Sequence, residues 1–173
     1  MIVIEAIKNK NILLSTQKVF YKDQPYIKEC FIKMLNGEKI IYPKEYMKVI
    51  NRLGFELEYD LLVLEQVLLK MKEDDMVYAL SISPRTFRNH LFVSIAKELF
   101  HHFSYFKNRL IFILAENEYY AQTKKYNFLL DIFHELGVKI AIDRVGSLHT
   151  SFLYLRELNI DIVRFDSSYS KSL

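Results

Sequence analysis

Cysteine is almost absent from the sequence, and so are the segments that mark secreted or membrane-spanning proteins. The single cysteine, Cys30, cannot form a disulfide within the chain, so a reducing, cytoplasmic setting is the expectation. No apolar run approaches the ~18 residues that a membrane span requires, and we therefore expect no span. The start of the chain, MIVIEAIKNK, also lacks the basic stretch and small-residue cleavage site of a secretory signal.

Glycine, proline and tryptophan are scarce as well. With four Gly, three Pro and no Trp, the sequence has no low-complexity linker that would separate two domains. Its 173 residues, 51% hydrophobic and 26% charged, suit a single domain that spans residues 1–173. The net charge of +3 comes from interspersed acids and bases, so nothing predicts a nucleic-acid partner.

Strands and helices alternate along the sequence. In the helix predicted at 59–72, the acids and lysines are expected on the solvent-exposed face. The order is typical of an α/β fold with a parallel sheet, whose ligands bind at the carboxyl ends of the strands. The predicted strands lie at 12–20, 27–35, 76–83, 109–115, 139–143 and 161–165, and the predicted helices at 43–54, 59–72, 84–103, up to 136, and 150–158.

The segment from Lys139 to Ser170 carries the most specific pattern. It reads as an apolar strand, a polar turn, an amphipathic helix and a second apolar strand, which together form a βαβ unit. Asp143 closes the first strand and Asp166 the second. Two carboxylates at this edge of a parallel sheet indicate metal or phosphate chemistry.

This segment resembles a signature of the EAL-type cyclic di-GMP phosphodiesterases, DDFGxGxSSLxYLxxLPxDxLKIDxSFV. The sequence differs from the signature within its DDFG and KID motifs, which carry the family's chemistry. Arg144 replaces the second aspartate, Val145 replaces the phenylalanine, and Arg164 replaces the lysine of KID. The positions that match are Asp143, Gly146, Ser151, Tyr154, Leu155, Leu158, Asp161, Asp166, Ser168 and the aromatic Tyr169.

The resemblance implies a TIM-barrel-like (β/α) fold. Such a barrel usually takes about 250 residues, and only about six of its eight strands are predicted here. The strand at 161–165 would then be an exposed edge. Either another protein chain or a second copy covers this edge, or the chain is part of a longer barrel.

Further landmarks of the family occur in order along the chain. Gln17 matches the first residue of its QPI motif, and Glu29 matches the glutamate of E-A-L. Lys33 stands where the family has the arginine of L-R-W, and Pro43 matches the proline of its YP motif. Glu118 matches the second glutamate of E-x-x-E, which supports the loop after DDFG.

The family's metal ligands are only partly present. Ser81 replaces an asparagine, and Ala115 replaces the first glutamate of E-x-x-E unless a bulge brings Glu116 into its place. Arg144 puts a permanent cation where the family has a bridging anion, a change of two charges that opposes metal binding. Glu29 and Asp143 are the metal ligands that remain.

The family hydrolyses cyclic di-GMP with two divalent cations, Mg²⁺ or Mn²⁺. Because most ligands are replaced, we expect a degenerate domain that binds no metal cofactor, does not hydrolyse the dinucleotide, and acts as a regulatory or binding module. The alternative is an active, metal-dependent phosphodiesterase. Glu29, Asp143 and Arg164 are the vestigial residues at the positions of the family's catalytic set.

The resemblance also indicates candidate contacts to cyclic di-GMP. Arg144 could contact a phosphate, or it could pair with Glu29 or Asp143. Glu29 could bind metal, or it could form an ion pair with Lys33 or another nearby cation. We expect weak or no dinucleotide binding, with a Kd above roughly 10 μM. The candidate ligand-binding residues are Gln17, Lys33, Arg144, Arg164 and Asp166.

Overall fold

A computed structural model describes residues 2–115, 122–146 and 155–167 of the chain. Within these ranges, strands and helices follow the alternation expected from the sequence. The strands are β1 (Ile12–Tyr21), β2 (Gln24–Asn36), β3 (Lys39–Ile41), β4 (Val77–Ile82), β5 (Leu110–Leu114), β6 (Val138–Val145) and β7 (Ile162–Phe165). The helices are α1 (Ile2–Lys8), α2 (Pro43–Leu53), α3 (Glu56–Lys70), α4 (Pro84–Phe87), α5 (His90–His102) and α6 (Thr123–Glu135).

The strands form one sheet in the order β1-β2-β4-β5-β6-β7, with the short β3 beside β2. From β2 through β4 to β7 the pairing is parallel, as expected. The first strand differs, because β1 pairs antiparallel with β2. Lys22 and Asp23 join them with φ of 48° and 63°, a conformation that suits a tight two-residue hairpin turn.

Helix boundaries depart from the sequence prediction at several places. The helix α1 was not predicted, and α3 runs from Glu56 to Lys70 where 59–72 was predicted. The single helix predicted over 84–103 is two helices, α4 and α5. Ser83 caps α4 by accepting a hydrogen bond from the Thr86 N–H (3.1 Å), and Asn89 starts α5 by accepting one from the Leu91 N–H (2.9 Å). The predicted helix at 150–158 lies mostly outside the described residues.

The helix α2 begins and ends as its sequence predicts. Pro43 occupies its first turn, where the missing N–H costs nothing. Gly54 ends it in the left-handed conformation (φ 70°), and its N–H donates to the Ile50 carbonyl.

One face of the sheet carries the main hydrophobic core. Large side chains from its strands, such as Tyr78 and Phe112, pack there with helical residues such as Phe92 and Phe133. The other face has a small cluster made of Ala79, Ile111, Ile113 and Ala141. The helices therefore cover one face, and the second face is lined by shorter side chains.

The sheet curls away from its helices. Three strands separate β2 from β7, which corresponds to roughly 19 Å along a flat sheet at ~4.8 Å per strand. Yet Arg164 of β7 contacts Glu29 of β2 at 3.0 Å. Contact over that separation requires strong curvature, so the face opposite the main hydrophobic core is concave, as in part of a barrel wall.

Among the helices in the described part of the chain, none is long and apolar enough to cross a membrane.

Candidate functional site

Side chains of the predicted site lie together on the concave face. Side chains alternate between the two faces of a strand, so Ser81 shares the face of Ala79, and Asp143 shares the face of Ala141. Arg164 stands two residues after Ile162, which also packs on this face. The sheet thus brings together residues that are more than a hundred positions apart in sequence.

Arg164 joins the two remaining acids. Its Nη1 and Nη2 donate to Oε1 and Oε2 of Glu29 at 3.0 and 3.3 Å, a bidentate arrangement. Its Nε lies 3.4 Å from Oδ1 of Asp143. The three side chains are partly shielded from solvent, with exposed fractions of 36%, 19% and 25% for Arg164, Glu29 and Asp143. The ion pair expected for Glu29 is thus present, with Arg164 as its cation.

A bulge follows Asp143. Ile142 pairs with Val163, but the next pair joins Val145 to Phe165, so β6 holds one more residue than β7 there. Arg144 takes a left-handed φ of 58° and is exposed. Asp143 therefore does not end the strand, as the sequence suggested, because β6 continues through the bulge to Val145.

Gln17 lies directly opposite Glu29 in the hairpin, so both side chains lie on the same face. Lys33 places its Nζ 5.4 Å from the centre of the Tyr42 ring. Gln17, Lys33 and Tyr42 line a cavity of about 350 Å³. Asp166 donates its backbone N–H to the Val145 carbonyl at 3.0 Å.

A larger cavity of about 980 Å³ is lined by Cys30 and Arg144, the residues that follow Glu29 and Asp143 in the chain. Arg144 lines it together with Ser81 and Ala115, the two positions at which the sequence lacks a metal ligand. Arg85 and Arg88 add two more guanidinium groups to its wall. The cavity therefore combines cations with a large volume next to the carboxyl ends of the strands.

Two acids in this cavity were missed by the sequence analysis. Asp60 was assigned to the exposed face of its helix, and this prediction was wrong, because its exposed fraction is only 2%. Glu56 precedes the predicted helix at 59–72, and its exposed fraction is 7%. A signal was available: Asp60 is spaced i, i+4 and i, i+7 from the buried Leu64 and Val67. A carboxylate within a buried apolar stripe requires partners.

Asp60 finds its partners at the start of α4. Its Oδ2 accepts a hydrogen bond from the Ser83 N–H at 3.0 Å, and the hydroxyl groups of Ser83 and Thr86 also bond to it. Burial raises the pKa of Asp60 to about 7 in spite of these hydrogen bonds. Glu56 is held by Arg85, whose Nη1 lies 3.3 Å from its Oε1.

The remaining polar groups of the cavity are neutral. The Tyr46 hydroxyl donates to the Ile32 carbonyl at 2.9 Å and lies 2.9 Å from the hydroxyl of Tyr59. Burial raises the pKa of Tyr46 to about 12 and that of the Cys30 thiol to about 12. A thiol with that pKa is a poor nucleophile at neutral pH.

Two predicted positions lie outside the described residues. They are Glu116, the alternative ligand at the register of Ala115, and Glu118, the predicted support of the loop. Within the described ranges, no group of three or more His, Cys, Asp or Glu side chains is arranged to hold a metal ion.

Comparison with known proteins gives consistent matches. A family model described as "EAL domain" matches residues 3–173. The chain is 23% identical over 175 residues to the cyclic di-GMP phosphodiesterase PdeF of Escherichia coli (strain K12), covering 98% of this chain and 23% of that protein.

Solved structures match over a larger share of their length. The EAL domain of Xanthomonas citri FimX in complex with c-diGMP superposes with a TM-score of 0.87 at 16% identity, covering 98% of this chain and 69% of that one. The FimX EAL domain of Pseudomonas aeruginosa bound to c-di-GMP gives a TM-score of 0.87 at 17% identity, covering 97% and 71%. The chain thus spans less than a quarter of the curated relative and under three quarters of these structures.

Proposed function

This chain belongs to the EAL domain family, and we propose that it acts in cyclic di-GMP signalling as a regulatory or binding module that does not hydrolyse the dinucleotide. Membership of the family confirms the expected TIM-barrel-like α/β fold. The loss of hydrolysis is the part that we propose from the chemistry of the site.

The observation that carries this proposal is the contact of Arg164 with Glu29 and Asp143. Hydrolysis of this type needs two divalent cations, which anionic oxygens hold close together. Here one guanidinium already neutralises the carboxylate of Glu29 through two charge-assisted hydrogen bonds. A metal ion would have to displace Arg164 or share the acids with it.

The donor set around these acids does not fit a two-metal centre. Ser81 offers a neutral hydroxyl, which is a weaker ligand for a hard divalent cation than a carboxylate, and Ala115 offers no side-chain donor. Ser81 and Ala115 line the larger cavity, and Arg144 adds a positive charge to it. With two acids and two arginines, the site lacks the excess negative charge that would hold two dications.

We place the dinucleotide, as a ligand rather than a substrate, in the larger cavity. Arg85, Arg88 and Arg144 line it and are the residue type best suited to bidentate phosphate contacts. Binding should be weak, because Arg85 is engaged by Glu56 and Arg164, which does not line this cavity, is engaged by Glu29. As part of the same proposal, another protein chain or a second copy of this chain covers the edge of β7.

Incubation with cyclic di-GMP and either Mg²⁺ or Mn²⁺ tests the proposal. We expect no linear dinucleotide from the unmodified protein, since no complete metal centre is available. Turnover that disappears in Glu29→Ala would overturn the proposal in favour of an active phosphodiesterase. The exposed Glu135→Ala is the matched control for that variant.

Isothermal titration with cyclic di-GMP in the absence of metal defines the module further. A Kd above roughly 10 μM agrees with the weak binding expected from engaged arginines. Submicromolar affinity that falls at least about tenfold in Arg144→Ala would identify a cyclic di-GMP receptor and contradict the expectation of weak binding.

A further inference from the structure

Two buried acids lie one helical turn apart on α3. Glu56 and Asp60 are spaced i, i+4, which places both side chains on the same face of the helix. Both line the larger cavity, and they are the acids among its lining residues in the described part of the chain. Ionising both carboxyl groups is costly there, because each is shielded from water and the two charges repel each other.

The same two acids hold the short helix α4. Asp60 accepts the Ser83 N–H at the start of this helix, and Glu56 forms an ion pair with Arg85. The two partners of the ion pair differ in exposure, because the side chain of Arg85 is 75% exposed and that of Glu56 is 9% exposed. A ligand in the cavity can therefore reach the cation of this pair, whereas the anion stays buried.

A ligand phosphate would compete with Glu56 for Arg85. Carboxylates and phosphates both bind a guanidinium through two charge-assisted hydrogen bonds, so one can replace the other. When a phosphate takes Arg85, Glu56 loses this cation but remains close to Asp60. Burial is the main cause that raises the pKa of Asp60 to about 7, and the charge of Glu56 already adds to it. Loss of the cation strengthens that repulsion and favours the protonated form of Asp60.

The other titratable groups that line the cavity do not change charge near neutral pH. They are Cys30 on β2, Tyr46 on α2 and Tyr59 on α3, and burial raises the pKa of each. The three arginines of the cavity remain protonated at any pH used here. Asp60 is therefore the group in this lining that can take up a proton when an anion binds.

We propose that Glu56 and Asp60 link anion binding in the larger cavity to proton uptake. A ligand phosphate that takes Arg85 from Glu56 binds together with a proton from solvent, and Asp60 holds this proton. The ligand class, a phosphodiester, rests on the proposed function, but the linkage to protons does not.

The linkage fixes the direction of the pH dependence. Below about pH 7 Asp60 is already protonated in the free protein, so affinity is highest there. Above that pH the anion binds only with added cost or with a proton, so affinity falls as pH rises. Because one proton is involved, the Kd rises by at most about tenfold per pH unit.

Isothermal titration with two anions, in the absence of metal, tests the proposal. The anions are cyclic di-GMP and sulfate, since neither takes up a proton itself near neutral pH. Repeating each titration in two buffers of different ionisation enthalpy gives the number of protons taken up per bound anion. We expect roughly half a proton at about pH 7, and a Kd at least about threefold higher at about pH 8 than at about pH 6.

Two variants assign the proton. Asp60→Asn should abolish both the uptake and the pH dependence, with the exposed Asp131→Asn as its matched control. Glu56→Gln should tighten binding at each pH, because Arg85 is released, and should reduce the uptake. The exposed Glu135→Gln is the control for that change. The second variant tests the linkage even if Asp60→Asn does not fold.

The outcomes separate this inference from the proposed function. If cyclic di-GMP binds with the same Kd at both pH values and without proton uptake, the inference is overturned and the proposed function stands. If sulfate binds with a proton uptake that Asp60→Asn or Glu56→Gln reduces, while cyclic di-GMP does not bind, the inference is supported and the dinucleotide is rejected as the ligand. Uptake that both variants retain, or no binding of either anion, would overturn the inference.

Discussion

Asp60 is the residue whose surroundings have the clearest consequence for stability. Its carboxyl group is almost fully buried, and burial raises its pKa from 3.8 to about 7. The folded protein therefore holds a proton that the unfolded chain releases near pH 4. Between these two values the native state binds more protons, so the free energy of unfolding falls as pH rises.

We expect the free energy of unfolding to decline between about pH 4 and pH 7 by a few kcal/mol, and at most about 4 kcal/mol, and then to level off. Asp60→Asn should remove this part of the decline, since an amide does not titrate and can still accept the Ser83 N–H. Urea unfolding across this pH range measures the effect.

The exposed Asp131→Asn is the matched control and should retain the decline. If Asp60→Asn keeps the same pH profile as the unmodified protein, Asp60 is ionised in the folded state, and the account of its burial is incorrect.

Single residues of the site were predictable where a motif or a strand end marked them. Glu29 stood out as an acid on an apolar strand, and Asp143 as an acid near the end of one. The cation that binds both could not be chosen from sequence, because Arg144 and Arg164 were equally placed near strand ends. The bulge and the curvature of the sheet, both tertiary features, bring Arg164 to Glu29.

At the scale of elements, Arg109 ties together the connections at the other end of the sheet. Its Nη1 donates to the Asp74 carbonyl at 2.7 Å, and its Nη2 donates to the Tyr105 carbonyl at 2.9 Å. Longer contacts reach the carbonyls of Met71 and Met76. One guanidinium thus satisfies backbone acceptors in the connection from α3 to β4 and in the connection from α5 to β5.

Arg109→Lys should lower the free energy of unfolding by roughly 1–3 kcal/mol, because an ammonium cannot reach both connections and leaves buried acceptors unsatisfied. Equilibrium unfolding in urea measures this loss. The same change at the exposed Arg52 should have little effect. A loss below about 0.5 kcal/mol at position 109 would show that solvent replaces these hydrogen bonds.

Helix ends were predicted correctly where the backbone preferences of single residues determine them. Pro43 and Gly54 mark the ends of α2 because their backbone preferences act within one turn. The division of 84–103 into α4 and α5 was missed, although Asn89 is a strong helix cap, because the apolar spacing continues across it. The antiparallel direction of β1 is a tertiary choice that its own sequence does not encode.

At the scale of the whole molecule, the fold was predictable because landmarks of the family occur in order along nearly the whole chain, and the family match confirms it. The larger cavity was not predictable in the same way. Its wall combines side chains from β2, β4, α2 and α3 with Arg144. Only the packed molecule brings these groups together.

We propose that Arg164 and Arg144 prevent divalent cations from binding beside Glu29 and Asp143. Thermal unfolding with millimolar Mg²⁺ or Mn²⁺ tests it directly, because a ligand stabilises the native state by RT ln(1 + [L]/Kd). We expect a negligible rise in Tm for the unmodified protein and a measurable rise for Arg144→Asp, with the exposed Arg156→Asp as the matched charge control. A clear rise in the unmodified protein that EDTA abolishes would contradict the account.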